Sequence, residues 1–407
     1  MRPGSRVTAA LIAKWRSFVE QNDRSLARSV EQRIVNSANL VFVTANDKSL
    51  AELPVDRSFD LLIFEEAARA YPLEILNAMR SARRWLLIGD HQQLSPFALE
   101  EFQKELSDLM SNSMLWNVSG QEQQQWTTEI ADFFHFLYQG KGLGLGDRKA
   151  PADILEAQWR MHPEIGNLMR VYYPTMKNGE GKEGEAELSR RYRHNFHDPP
   201  ELENQPLIWI DTPAVGKNRF ARERTVSGGG YVNYFEIAVI RALIKQLQQQ
   251  HVLGNQLVFL SPYRAQVQLL NRTFQNWKNP KTNTFDLVGK AYTVDSFQGR
   301  QSDVVIVSLV RNNDYNTVNG ALGFLADNEG RKRTGVMCSR AQRLLIIVGC
   351  RSHFERFRNE KVASHLADVS ASIEKGFPGS SLLTRADDER LRQQFVEDID
   401  IDLDEQV

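Results

Sequence analysis

The chain has 407 residues, 42% hydrophobic and 25% charged, which places it among globular proteins with enough length for two or three domains and two independent cores. Lys and Arg number 50 against 51 Asp and Glu, so no global positive field announces a nucleic-acid partner, and any such site has to be a local patch. Cys338 and Cys350 are the only cysteines, too few for a disulfide scaffold and without the paired spacing of a zinc site. The start, Met1-Arg2-Pro3-Gly4-Ser5-Arg6, has no apolar signal core, and no run approaches the roughly 18 apolar residues of a membrane span. A soluble, reduced, cytoplasmic protein with no membrane partner is the expectation.

From Val7 to Ser37, Leu11, Ile12, Trp15, Phe18, Val19, Leu26, Val30 and Ile34 recur at helical spacing. Short apolar runs at Leu40–Thr44, Leu61–Phe64 and Trp85–Ile88, separated by polar or helical stretches such as Pro72–Arg80, have the cadence of buried parallel strands joined by crossovers. A helical stretch around Phe133–Tyr138 gives way to the Gly-rich segment Lys141–Asp147, which reads as a linker. A second α/β unit follows. Its strands are expected at Leu207–Ile210, Leu257–Leu260, Tyr292–Val294, Val304–Leu309 and Leu344–Val348, with helices near Tyr231–Gln249 and Tyr263–Gln275. The polar, Gly/Glu-rich segment Asn178–Ser189 reads as a mobile surface insert. The tail from Asp387, with Asp398, Asp400, Asp402 and Asp404 alternating with apolar residues, reads as a solvated acidic end, a docking peptide being the alternative.

Leu61-Leu62-Ile63-Phe64 leads straight into Glu65-Glu66, two carboxylates at a strand end, where an α/β nucleotide fold holds Mg²⁺ and polarises water. A solvated acidic turn accounts for the pair taken alone. The pair gains meaning from Trp85–Ile88, which delivers Gly89-Asp90-His91-Gln92-Gln93-Leu94-Ser95-Pro96 at the end of another run, so that Asp90 shares a sheet edge with the acidic pair. Gln158-Trp159-Arg160-Met161-His162-Pro163 follows farther on.

The segments Phe64–Ala70, Gly89–Pro96, Gln158–Pro163, Ser261-Pro262-Tyr263-Arg264-Ala265-Gln266, Thr293-Val294-Asp295-Ser296-Phe297-Gln298-Gly299 and Ser339-Arg340-Ala341 resemble, in order, motifs II, III, IV, the following strand–helix element, V and VI of superfamily 1 helicases. The nearest likeness is to the nonsense-decay-helicase-like branch and its bacterial relatives, and it runs from about Trp15 to Gly349. The resemblance implies an α/β chain with two RecA-like parallel-sheet domains, the N-terminal one incomplete, clamping ATP while single-stranded DNA or RNA crosses their top. It divides the chain into a partial first domain (1–140), a linker (141–150), a second domain (151–375) and an acidic tail (376–407).

By position, the resemblance puts Glu65 where the family has the Asp that holds Mg²⁺ through water, and Glu66 where it has the residue that activates water. Gln93 becomes the sensor of the γ-phosphate, with Asp90 beside it. Arg160 and Arg340 reach the γ-phosphate from the second domain, with Gln158 and Trp159 flanking Arg160 in the nucleotide cleft. Gln298, Gly299 and Gln301 match the motif that links ribose and nucleic acid, with Gln301 standing where Glu is usual. Ser261, Tyr263, Arg264 and Thr293 fall where the family touches the sugar-phosphate backbone; a cap or a surface hydrogen bond accounts for each of them singly. Strand translocation from 5′ to 3′, coupled to ATP hydrolysis, is the implied activity.

Three departures stand out. Nowhere in the 407 residues is there a G-x-x-x-x-G-K-[ST] loop, since neither the Gly140–Gly146 stretch nor Gly228-Gly229-Gly230 is followed by Lys-Ser/Thr. Glu65 carries one more methylene than the usual Asp, which moves its carboxylate by about 1.5 Å. Gly335 and Gln342 replace polar and basic residues of motif VI. The expectation is therefore a truncated or split helicase-family protein with weak or no ATPase alone. A non-catalytic nucleic-acid-binding or assembly module and one half of a two-chain motor, its partner polypeptide carrying the phosphate loop, are the alternatives.

Overall fold

The computed structural model describes residues 59–112, 120–140, 151–228, 230–249, 256–275, 287–361 and 363–385, together with 14, 17, 33, 34 and 37–45. Most of the expected N-terminal helices, the linker at 141–150 and the acidic tail beyond 385 lie outside the described residues. In chain order the strands are β1 (Phe59–Phe64), β2 (Ala82–Leu87), β3 (Ala157–Gln158), β4 (Lys177–Asn178), β5 (Leu207–Asp211), β6 (Arg224–Val226), β7 (Gly230–Val232), β8 (Leu257–Ser261), β9 (Ala291–Thr293), β10 (Ser302–Ser308), β11 (Ala341–Gly349) and β12 (Gly376–Pro378). The chain divides into two units, one of residues 1–64 and 73–86, the other of residues 65–72 and 87–407.

The larger unit is built on a six-stranded sheet of order β12-β5-β11-β10-β8-β9, with every pairing parallel. Continuous runs of Val, Ile and Leu form these strands because helices cover both faces of a parallel sheet and each side chain finds an apolar partner whichever way it points. Alternation along β10 shows it: Val305 and Val307 enter one core, Val304 and Ile306 the other. β11 divides in the same way, Leu345 and Ile347 against Leu344, Ile346 and Val348. One face is covered by the helices Tyr234–Gln249 and Arg264–Phe274, through residues such as Leu243, Leu247, Leu270 and Phe274. The other packs against Pro163–Leu168, Asn328–Cys338 and His365–Ser372, through Ile165, Met337 and Leu366. Each such side chain contributes about 1.5–3 kcal/mol by leaving water. Because the strands are parallel, Asp211, Ser261, Thr293, Ser308 and Gly349 finish at one edge, and the loops after them share one face. The chain is thus α/β with a RecA-like parallel sheet.

Two expectations about strands are corrected. Residues 40–44 form no strand, and among the described residues of the smaller unit β1 pairs only with β2. Leu61, Ile63, Trp85 and Leu86 of this pair are exposed rather than buried, since among the described residues one helix, Pro72–Met79, cannot cover both faces of the two strands. The supposed surface insert at 178–189 is also corrected. It is largely the helix Gly181–Arg191, formed from good helix formers, with Leu188 fully buried and Gly184 against the Trp159 ring.

A buried polar network fastens the loop after β10. Glu236 accepts the Ser308 hydroxyl at 2.5 Å and the Val310 N–H at 3.0 Å, holding Val310 at φ 71. Arg311 then pairs with Glu223 at 3.2 Å, donates to the Ala321 carbonyl at 3.0 Å and lies 4.0 Å over the Tyr231 ring. Burial pushes the Glu236 carboxyl up to about 8, against the hydrogen bonds that lower it. The folded chain therefore keeps a proton there that the unfolded chain releases at ordinary carboxyl values. The stability this gives is fully present below the unfolded value and is lost as pH rises to about 8. Denaturant titrations across that window should show wild-type stability falling with a slope of up to about 1.4 kcal/mol per pH unit beyond that of Glu236→Gln, in which this component is absent.

Candidate nucleotide cleft and strand edge

After β1 the chain turns sharply. Glu65 and Glu66 are exposed, and Glu66 adopts φ 54 at the start of a short 3₁₀ turn, Ala67–Arg69. The Ala67 N–H donates to the Ile88 carbonyl at 2.9 Å, tying the acidic turn to the segment that follows β2. Gly89 is required there: a Cβ would lie 2.8 Å from the Ala68 nitrogen and 3.0 Å from the Phe134 ring. Asp90 comes next and acts as an acceptor hub. It takes the Gln92 N–H at 2.9 Å, the Gln93 amide at 2.9 Å and the Tyr173 hydroxyl at 2.6 Å. Gln93 is thereby oriented with its carbonyl oxygen toward Arg340, whose Nη2 donates to it at 3.4 Å.

Arg340 is 2% exposed. Its Nε donates to the Val336 carbonyl at 3.1 Å, Nη2 to the Ser339 hydroxyl at 2.8 Å and Nη1 to the Arg300 carbonyl at 3.4 Å. Burial, reinforced by the like charge of Arg160, lowers it to about 10, so it stays cationic at neutral pH. Arg160 itself is exposed, with its N–H on the Gln158 side-chain oxygen at 2.9 Å. The same oxygen accepts Met161 N–H at 3.0 Å, and the Gln158 amide nitrogen donates to the Met161 carbonyl at 3.1 Å and to Asn178 at 2.8 Å, so Gln158 shapes the loop that presents Arg160. Trp159 is half-exposed, lies over Gly184 and gives its carbonyl to the Tyr192 hydroxyl at 2.9 Å.

Gln298 reaches Glu66, amide nitrogen to carboxylate, at 3.4 Å. Its side-chain oxygen is buried with no partner among the described residues, an acceptor able to take a hydroxyl or a water. Gly299, at φ 75, continues the turn and Gln301 is exposed. Within the larger unit Asp90, Gln93 and Arg340 are thus linked by contact, and Gln298 and Glu66 form a second pair, with Glu66 and Arg160 close enough to Arg340 to act on its charge. Glu65 stands in solvent. Among the described residues no group of three or more His, Cys, Asp and Glu could hold a metal ion. Glu65 and Glu66 suit only a Mg²⁺ that takes most of its ligands from phosphates and water.

The four residues expected on a nucleic-acid strand separate. Ser261 is fully buried and accepts the Tyr263 N–H at 3.4 Å, and Tyr263 is buried with its hydroxyl on the Leu322 carbonyl at 3.2 Å. Both support the fold. Arg264 is exposed, and half-buried Thr293 caps the helix Val294–Phe297 through the Ser296 N–H at 3.4 Å. Sequence reasoning missed Tyr173 and a second tie, in which Ser95 donates to Glu329 at 2.8 Å while Lys332 reaches Ser95 at 2.5 Å and Glu329 at 3.0 Å. The basic run Arg331-Lys332-Arg333 was its only sequence signal.

A sequence model of the AAA domain matches residues 134–352, and a second AAA-domain model matches residues 5–101. The DNA polymerase alpha-associated DNA helicase A of Saccharomyces cerevisiae is 26% identical over 355 residues, 83% of this chain and 46% of its own length. The regulator of nonsense transcripts 1 of Caenorhabditis elegans is 26% identical over 326 residues, 80% of this chain and 26% of its own. An uncharacterized ATP-dependent helicase of Methanocaldococcus jannaschii is 23% identical, covering 82% and 42%. The chain therefore spans less than half the length of these curated relatives. Among solved structures, the PRRSV helicase is similar with a TM-score of 0.30 and 14% identity, over 77% of this chain and 41% of that one.

Gly335, one of the departures from the motif VI pattern, has a structural cause. It lies on the helix Asn328–Cys338, where a Cβ would sit 3.1 Å from the ring of buried Tyr172. A larger side chain at that position would press on this tyrosine, which would have to give by a few tenths of an ångström. Gly335→Asn should destabilise the chain by about 1–3 kcal/mol through overpacking, read as a lower denaturant midpoint.

Proposed function

We propose, for a chain that belongs to the superfamily 1 helicase family, that it supplies the catalytic carboxylate, the γ-phosphate sensor and both cleft arginines of an ATP-driven motor acting on single-stranded DNA or RNA. The observation that carries this reading is the pair of contacts Arg340 to Gln93 and Gln298 to Glu66, at 3.4 Å each, one between the segments that resemble motifs VI and III, the other between those that resemble motifs V and II. In this reading residues 1–140 contribute motifs II and III of a first RecA-like domain, and 151–375 form the second. The names of the relatives, two of them helicases and one a regulator of nonsense transcripts, support the nonsense-decay-helicase-like branch.

Hydrolysis needs a water aligned with the γ-phosphate and a sink for the charge of the leaving group. Glu66 would take the water proton, Gln93 would sense the phosphate, and Arg340 and Arg160 would offer planar cations to its oxygens. Glu65 would hold Mg²⁺ through water, and the chemistry such an ion supplies is neutralisation of charge on the phosphate oxygens. Movement would follow if Arg340 exchanged its contact with Gln93 for the γ-phosphate.

The 407 residues contain no G-x-x-x-x-G-K-[ST] loop, so this chain alone is expected to hydrolyse ATP weakly or not at all. Strand-stimulated turnover should appear when a polypeptide carrying that loop is added, and Arg340→Ala should then lower kcat by about 10³-fold or more. Strand binding without turnover in either case would favour a non-catalytic clamp. Robust, strand-stimulated turnover by this chain alone would contradict the two-polypeptide form of the proposal.

A further inference from the structure

Ser261 and Tyr263 are buried, so the edge where β8 and β9 end must meet a ligand through other side chains. Phe324 is the outstanding one. The residue is 59% exposed, while Leu322 and Leu325 beside it are fully buried and Ala326 nearly so. Such an aromatic does not move freely. Gly323 takes φ 54 to start the 3₁₀ turn Gly323–Leu325, and the Ala326 N–H closes it onto the Gly323 carbonyl at 3.0 Å. From below, Gly330 packs so closely that a Cβ there would lie 2.5 Å from the backbone of Leu325. At Gly323 itself a Cβ would meet the Tyr263 hydroxyl at 2.9 Å and Arg311 Nη1 at 3.2 Å.

The exposed ring ends a ladder. Phe324 lies 5.7 Å from Tyr263, and Tyr263 lies 5.5 Å from Tyr231 in an edge contact. Arginines stand at both ends, Arg311 at 4.0 Å over Tyr231 and Arg333 at 5.7 Å over Phe324. Arg333 also donates to the Phe324 carbonyl at 3.1 Å, and among the described residues it has no carboxylate partner. Its two neighbours are engaged elsewhere: Lys332 with Glu329, Arg331 over Tyr172. A held, solvent-facing ring beside an uncompensated guanidinium joins the two parts of single-strand recognition, a π-face for a base and a cation for its phosphate.

We propose that Phe324 is a stacking platform for one base of a single-stranded nucleic acid and that Arg333 pairs with the adjoining phosphate. Buried Tyr263 and half-buried Tyr231 brace the platform. The inference rests on the strand-binding half of the reading above and assigns that binding to residues no motif pointed to.

The test is fluorescence anisotropy with a labelled oligo(dT) of about 15 nucleotides, repeated with oligo(U), at salt from about 50 to 200 mM. Phe324→Ala should weaken binding about ten-fold at every salt concentration and leave the slope of log K against log salt unchanged. Phe324→Trp should bind at least as well as wild type, whereas Phe324→Leu, apolar but without a π-face, should behave like alanine. Arg333→Ala should lower the slope by about one unit. Wild-type thermal melting of each variant separates these effects from misfolding. Equal binding by wild type and Phe324→Ala overturns the platform alone, as does full rescue by leucine. No binding by the wild-type chain overturns both the platform and the strand-binding reading beneath it.

Discussion

A guanidinium removed from water is the interaction on which the cleft depends. Arg340 must satisfy its donors with fixed acceptors, because a buried cation left unpaired costs several kcal/mol, on the order of 3–5 for a broken buried pair. The acceptors come from separate parts of the chain: Val336 and Ser339 beside it, Arg300 after β9, and Gln93 in the loop after β2. One side chain therefore sets the register of three loops. Its surroundings remain short of negative charge, since Arg160 acts against it and the opposing Glu66 and Asp90 only partly offset the burial. Two guanidiniums are thus held near each other, with the exposed Glu66 and half-buried Asp90 acting on the buried one.

The sheet makes that arrangement possible at small cost. Parallel strands collect their C-terminal ends at one edge, so the loops after β8, β9 and β10 are neighbours without any long excursion. The loop after β10 leaves the sheet through Val310 at φ 71, an unfavourable conformation for a β-branched residue. Glu236 holds it there by accepting the Val310 N–H, and Arg311, Glu223, Asn312 and Asn313 continue the polar network inward. The network is buried and nearly complete, though Arg311 Nη1 has no partner among the described residues. Partial satisfaction of this kind is tolerated because the guanidinium also lies on the Tyr231 ring.

Much of this was legible in the sequence, for reasons that also explain what was not. β5, β8, β10 and β11 were readable as unbroken apolar runs because both their faces are buried, and burial on both faces is what such a run records. The same rule misled at Leu61, Ile63 and Trp85, whose apolar character implies a cover that the described residues do not provide. The helix Gly181–Arg191 escaped notice because a single buried Leu188 leaves no periodicity to detect. Motif order singled out Glu66, Gln93, Gln298 and Arg340, and the fold pairs Gln93 with Arg340 and Glu66 with Gln298. It could not say that Ser261 and Tyr263 point inward, since the fate of a side chain at a strand end depends on what packs over it. Nor does any local pattern join Tyr173 to Asp90 or Lys332 to Ser95, contacts between segments far apart in the chain.

The segment from Thr293 to Arg300 runs from the strand edge at Ser261 to the surroundings of Glu66 and Arg340. At one end Thr293 pairs with Ser261 across β9 and β8 and caps the helix Val294–Phe297, beside the edge that carries Tyr263 and Phe324. At the other, Gln298 meets Glu66 and the Arg300 carbonyl receives Arg340. Val294 and Phe297 are buried between them, and the Tyr292 ring packs on Phe297 at 5.0 Å, so the segment is braced rather than slack. A shift of the guanidinium toward a phosphate would have to lengthen its bond to Arg300 or carry that carbonyl along. Carrying it along moves a packed helical turn whose other end is fixed at the strand edge. Coupling between cleft and edge then requires no wire through the core, only the stiffness of one short, well-packed segment with a charge-dependent bond at one end.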